Sequence, residues 1–210
     1  MNVSPLPVAI LHERKANEGR PEGRWTVDEA LVVRAQGGDA HAFAVLASSA
    51  IDRLYAVAYR ILRETELARD ATQDALLEAW RDIPSLRDPR RWEAWTYRLV
   101  VHACYNQRRS ERRLSATIQF LSVNRSSVPD TALSVADRDE LERGFRRLPA
   151  EQRAVVVLHH YLGLPLTEVA DVLGIPAGTA RSRLHHATRR LRAALSADAT
   201  LPATREERTV

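Results

Sequence analysis

The segment LPLTEVADVLGIPAGTARSRLHHATRRLRAAL, residues 164–195, leaves few folds open to this chain. Two apolar stripes of helical period meet at a short break that holds Gly174 and Pro176. Thr167 is placed to cap the first helix, whose inner face would carry Val169, Ala170, Val172 and Leu173. Gly174 supplies the positive φ that a tight turn needs. Pro176 and the small residues behind it open the second helix, where a missing N–H costs no hydrogen bond. At about 100° per residue, Ala180, Leu184, Ala187 and Leu191 fall on one side of that helix. Gly178, Ser182, His185 and Arg189 fall on the other, flanked by Arg181, Arg183 and His186. An apolar back and a polar, basic front is the pattern of a helix-turn-helix whose second helix is free for a DNA major groove. Ser and Arg suit base edges there, whereas Arg183, Arg190 and Arg192 suit phosphates.

The rest of the chain is helical by the same criterion, and no credible alternating strand interrupts it. Residues 1–26 mix Pro, Gly and charges without a period and read as a flexible extension. Ala30, Leu31, Arg34 and Ala35 precede the Gly37-Gly38 break, and Asp39 is placed to cap the next helix. In that stretch Phe43 and Leu46 share a face, and Leu54, Val57, Ala58, Ile61 and Leu62 repeat at three- and four-residue spacing. A further helix is expected from about Glu66 to Trp80, with Ala71, Ala75, Leu76 and Ala79 inward. Pro84 and Pro89 bracket a loop, after which Trp92, Trp95, Leu99 and Ala103 mark an amphipathic helix ending in Arg108, Arg109, Arg112 and Arg113. Residues 114–137 fill with Ser, Asn, Pro and Asp and read as a linker; residues 196–210 read as a flexible tail. The expected fold is all-α: two small helical domains, 27–113 and 138–195, on a flexible tether.

Composition bears on what these domains touch. The formal charge is +4, and the basic side is almost wholly arginine, Lys15 being the one lysine. Arginine is the better fork for phosphates and guanine edges, although an arginine-rich composition alone would say little. A single cysteine, Cys104, excludes an intramolecular disulfide and fits a reduced, cytoplasmic setting. The N-terminal stretch places an apolar patch ahead of its charges, the wrong order for a secretory signal. No run of about 18 apolar residues is present, so no membrane span is expected. The paired histidines His159-His160 and His185-His186 diverge around their helices, and no carboxylate or cysteine completes a metal site, so neither metal nor cofactor is expected. No nucleophile–base pair or carboxylate cluster at motif spacing suggests an enzyme.

At this point the sequence resembles a known family. DELERGFRRLPAEQRAVVVLHHYLGLPLTEVADVLGIPAGTARSRLHHATRRLRAAL is similar throughout to the promoter −35-reading domain of extracytoplasmic-function sigma factors, through Leu148, Pro149, Gly174, Ile175, Pro176, Gly178, Thr179, Arg181, Ser182, Arg183 and Leu184. LVVRAQGGDAHAF resembles the family's opening segment, DATQDALLEAW its polymerase-docking helix, and RRWEAWTYRLVVHACYNQRR its −10-reading helix. The matches stand in family order over roughly residues 28–195.

The resemblance implies partners: the clamp of the polymerase's largest subunit, the flap of the second, promoter DNA and an anti-sigma factor that could hold the chain at a membrane. It implies that Asp70, Gln73, Asp74 and Glu78 meet the clamp, and paired acids with an amide suit an arginine-bearing surface. It implies that Leu86, Arg87, Arg90, Arg91, Trp95, Arg98, His102, Arg108 and Arg109 serve the melted −10 element, where aromatic faces with basic neighbours stack bases and attract the backbone. For the −35 element it implies Thr167, Gly178, Thr179, Arg181, Ser182, Arg183, His185, His186 and Arg189. Three positions depart from the family pattern. His102 stands where Asn is frequent, Asn106 where Asp is, and Leu86 where a bulky aromatic is common. His102 is open to two readings, a partly buried core histidine or a base-reading side chain. A different class of function, a sigma-like decoy for an anti-sigma factor, would be expected to lose the basic recognition face and gain a phosphoacceptor domain.

Overall fold

The computed structural model describes residues 28–121 and 142–198. Four helices form the N-terminal half: α1 (Glu29–Gln36), α2 (Ala40–Leu62), α3 (Thr65–Asp82) and α4 (Trp92–Leu121). The C-terminal half holds a helical stretch over residues 142–146, here α5, then α6 (Ala150–Val156), α7 (Leu166–Leu173) and α8 (Ala177–Asp198). No strand occurs among the described residues.

Local chemistry sets the boundaries. Asp28 caps α1 by accepting from the Ala30 N–H, and Asp39 caps α2 by accepting from His41 and Ala42. Gly38, at φ 89°, makes the turn between them, and an Arg34–Asp39 ion pair at 2.6 Å locks the corner. Hydrogen bonding to the Ala42 N–H and to Arg34 holds the Asp39 carboxyl below its usual range. The apolar stripe from Phe43 to Leu62 belongs to a single 23-residue helix. This helix is long and apolar enough to cross a membrane by length and composition. Its buried stripe from Ala42 to Leu62 instead packs against α1, α3 and α4, while Asp52 on its other side is exposed. Arg63 ends it in the left-handed region at φ 62°.

Helix α3 turns an unusual inner stripe to the core: Ala68, Ala71, Thr72, Ala75 and Ala79 are all buried. Thr72 satisfies its hydroxyl by donating to the Ala68 carbonyl at 2.7 Å. Leu76, expected inward, is only half-buried. Trp92 fills the space at the start of α4, nearly inaccessible, with Phe43 edge-on at 6.1 Å. The aromatic series continues outward from Phe43 to Trp80 at 4.9 Å and from Trp92 to Trp95 at 5.7 Å. Helix α4 extends to Leu121, eight residues into the stretch that reads as linker from residue 114, and α8 runs to Asp198, past the expected boundary at 195. The remaining linker residues, the N-terminal extension and the end of the tail lie outside the described residues.

In the C-terminal half α6 passes without a break into a π-helical turn, Val157–Tyr161. Gly174 takes φ 63°, ψ 35°, and turns the chain between α7 and α8. Thr167 does not cap α7. The helix begins at Leu166, with Pro165 at the cap position and no side-chain cap, which puts Thr167 inside the first turn. Ala180, Ala187 and Leu191 are buried and Leu184 half-buried, as the periodicity requires.

Truncating Trp92 to Ala should leave a void among α2, α3 and α4 and cost about 3–5 kcal/mol. Urea unfolding followed by far-ultraviolet circular dichroism measures it; an unchanged midpoint would show that Trp92 does not anchor the core.

Candidate polymerase and promoter interfaces

Three surfaces carry the residues that sequence reasoning selects. The first is the outer face of α3. Asp70, Gln73, Asp74 and Glu78 are all exposed there, opposite the alanine stripe. Asp74 accepts a hydrogen bond of 2.9 Å from Gln107 of α4, so it is oriented before any partner arrives. Leu77 and Trp80, which sequence reasoning passed over, stand on the same helix 46% and 40% exposed. Their spacing of four and seven residues from Gln73 was the available signal, since those positions repeat on one helical face. An acidic rim beside exposed Leu and Trp is the composition of a protein-binding face.

The second surface is a cleft of about 760 Å³ at the start of α4. Leu86, Arg87, Arg90, Arg91, Trp95 and Arg98 line it together, as expected of a single site. Two short 3-10 turns, Ile83–Ser85 and Pro89–Arg91, replace the irregular loop the prolines suggest. Ile83 plugs the core; Leu86, largely buried, faces the cleft. Asp88 caps the second turn and pairs with Arg90 at 2.9 Å, which lowers its pKa and takes one arginine partly out of play. Glu93 also lines the cleft, half-buried, and burial pushes its carboxyl up to about 7 despite Arg53 at 3.4 Å.

Not all expected −10 residues belong to this cleft. His102 is half-buried and lies outside it; burial and Arg98 lower its pKa, with Glu78 of α3 opposing. It stands at the edge between the core and the surface, neither packed nor free. Arg108 departs from expectation. Its guanidinium donates to the Leu62 carbonyl and pairs with Glu111 at 2.7 Å, so it caps the end of α2 and is not presented outward. Arg109 remains exposed.

The third surface is α8. Gly178, Arg181, Ser182, His185, His186 and Arg189 are exposed along its front, with Thr179 half-buried at its start and Thr167 exposed on α7. Arg183 is half-buried and close enough to Tyr105 of α4 to act on its phenol, so it leans toward the other half of the molecule.

The two halves touch. Arg63 pairs with Glu142, the Arg60 guanidinium lies 3.7 Å over the Tyr161 ring, and α7 lays Glu168, Asp171 and Val172 along the far wall of the cleft. Arg153 is buried against this seam; burial first, then Arg108 and Arg63, lower its pKa to about 10. Its Nε, that of Arg63 and the hydroxyls of Tyr97 and Tyr105 are buried without hydrogen-bond partners among the described residues. These contacts join positions far apart in sequence, and no local pattern announces them.

Comparison with known proteins finds a family match for each half of the chain. Residues 46–114 match the family described as Sigma-70 region 2, and residues 138–191 match Sigma-70, region 4. The chain is 34% identical over 167 residues to the ECF RNA polymerase sigma factor SigM of Mycobacterium tuberculosis, covering 78% of this chain and 82% of that one. It is 27% identical over 173 residues to the ECF RNA polymerase sigma factor SigW of Bacillus subtilis, covering 77% and 92%. Among solved structures, CnrH in complex with the cytosolic domain of CnrY has the same fold, with a TM-score of 0.57 at 24% identity over 81% of this chain and 98% of that one. The sigma factor RpoE in complex with the anti-sigma factor NepR from Bartonella quintana gives 0.59 at 23% identity, over 74% and 98%.

Glu93 yields a prediction of pH dependence. A carboxyl whose folded pKa lies above its unfolded value holds an extra proton in the folded state, so stability falls as pH rises from about 4.5 to about 7. Glu93→Gln should flatten that fall, read as melting temperature against pH. Parallel curves for parent and variant would show that Glu93 titrates normally.

Proposed function

The chain belongs to the extracytoplasmic-function sigma factors of bacterial RNA polymerase, and from that membership we propose how its surfaces divide the work. A sigma factor binds core polymerase and directs it to promoters. Here α3 docks on the clamp of the largest subunit through Asp70, Gln73, Asp74 and Glu78, with Leu77 and Trp80 giving the apolar centre of the contact. The cleft at the start of α4 takes the melted −10 strand. Arg87, Arg91 and Arg98 attract phosphates, Trp95 offers a ring face for stacking, and Leu86 bounds the pocket for an extruded base. Helix α8 enters the major groove at −35 with Arg181, Ser182, His185 and Arg189 toward base edges or backbone. Residues 27–113 and 138–195 then act as two reading domains, joined by a segment that lets them span both elements. The chain carries no reaction of its own; bond formation belongs to the polymerase, and the work is done in the cytoplasm.

One observation carries this assignment: a single chain presents an arginine-lined aromatic cleft at the start of α4 and a polar-fronted recognition helix, α8. The cleft is walled by both halves, and the two solved structures compared above are complexes with partner proteins, in one case an anti-sigma factor. An anti-sigma factor is therefore the partner that would control this chain.

Replacing Asp70 and Asp74 by Arg should abolish capture of core polymerase while helical content is retained, because both side chains are exposed. Asp70→Arg alone should show most of the loss, since it leaves the Asp74–Gln107 bond intact. Native-gel titration against core decides; unchanged affinity of the double variant places docking elsewhere.

Arg181→Ala and Ser182→Ala should each weaken a −35 duplex, with about 1–3 kcal/mol of sequence discrimination lost at a base contact. Fluorescence anisotropy across single-base variants of the duplex reads it. A variant that ranks those duplexes as the parent does leaves its residue outside the reading surface.

A further inference from the structure

The turn that bears Leu86 is held from behind by a residue of a different helix. The Gln36 side-chain amide donates to the Leu86 carbonyl at 2.6 Å and, more weakly, to the Ile83 carbonyl at 3.4 Å. Those two carbonyls flank the 3-10 turn Ile83–Ser85, whose own closing bond, Leu86 N–H to the Ile83 carbonyl, is 3.1 Å. Ser85 adds a local bond to the Asp82 carbonyl at 2.7 Å. Local bonds thus shape the turn, and Gln36 ties it to α1.

Gln36 is itself well placed to act as a fixed post. It is the last residue of α1, half-buried, and the chain immediately after it is pinned. Gly37 donates to the carbonyls of Val33 and Arg34, Gly38 to that of Ala35, and the Arg34–Asp39 pair closes the corner into α2. Helix α1 also lies against the second turn, Pro89–Arg91, where Asp88 chiefly, and Glu29 at the start of α1 to a lesser degree, raise the pKa of Arg90. The whole base-bearing edge of the cleft therefore rests on α1, a helix that contributes no residue to the lining.

The geometry points to Gln36 as a positioning residue for −10 recognition: its amide sets where the Leu86 turn stands relative to Trp95, and so which base the cleft accepts. This rests on the proposed −10 role of the cleft. A turn free to shift by an ångström accepts several bases; a turn held at its carbonyl presents one shape. Main-chain carbonyls need a donor, so neither an apolar residue nor a carboxylate can replace the amide.

The test uses the full chain bound to core polymerase. Parent, Gln36→Leu and Gln36→Glu holoenzymes are challenged with a promoter library randomised across the −10 element, alongside −35 duplex affinity, core affinity and melting temperature. Glu keeps the length and shape of Gln but lacks the donors. Both variants should lose about tenfold of the base preference at one −10 position, the order of one base contact. Core and −35 affinity should hold. Base preference equal to that of the parent in either variant overturns the proposal. So does a loss matched by equal falls in core affinity, −35 affinity and melting temperature, which would mean that Gln36 only stabilises the fold. A parent holoenzyme that selects no −10 sequence would instead overturn the role of the cleft itself, and the proposal with it.

Discussion

The N-terminal half depends on how closely α3 can approach its neighbours. Its buried positions are Ala68, Ala71, Thr72, Ala75 and Ala79, so the helix brings almost no side-chain volume to the core. The bulk comes from the other side: Leu46, Leu54, Ile61 and Leu62 of α2, and Trp92, Val100 and Val101 of α4. Small residues at this spacing let side chains of one helix seat against the backbone of another. A consequence follows for function. With its inner face all small, α3 carries its large and charged residues outward, where Asp70, Asp74, Leu77 and Trp80 are exposed on the face proposed to dock on polymerase. An Ala→Leu change in the stripe would push that face away from α4, and a core of this density absorbs such overpacking poorly.

Helix α4 joins the other parts. Its first turn fills the core with Trp92 and lines the cleft with Trp95 and Arg98. Further along, Cys104 is buried and Tyr105 adjoins the seam with the C-terminal half. The seam is more polar than the apolar core around it. It holds Arg63, Arg153 and two phenol hydroxyls with buried unpaired atoms, each costing about 1–3 kcal/mol. The Arg63–Glu142 pair and the Arg60–Tyr161 stack offset part of that cost. These buried polar atoms lie within an apolar cluster that runs through both halves.

Much of this was legible in the sequence, for local reasons. Asp39 as a cap, Gly174 as a left-handed turn and the Ala180–Ala187–Leu191 stripe are properties of a few adjacent residues, and they appear as expected. Asp70, Gln73, Asp74 and Glu78 were selected through the family resemblance, and all four are exposed on α3. What was not legible joins distant positions. Arg108 reads as one of a run of basic residues, yet it is spent on the Leu62 carbonyl 46 residues away. Gln36 sits beside a glycine pair with nothing to mark it, and its partner Leu86 is 50 residues on. The end of α4 was misjudged because Ser and Thr dilute the apolar period after Arg113, while helix already under way needs little further support to propagate.

This one chain gives core polymerase a choice of promoter. Run-off transcription with purified core polymerase, the chain and fragmented bacterial genomic DNA tests it most directly, with start sites mapped by sequencing. Discrete starts absent with core alone should be found, preceded by one shared pair of −10 and −35 elements at constant spacing. Starts distributed as with core alone, or starts sharing no upstream elements, would contradict it.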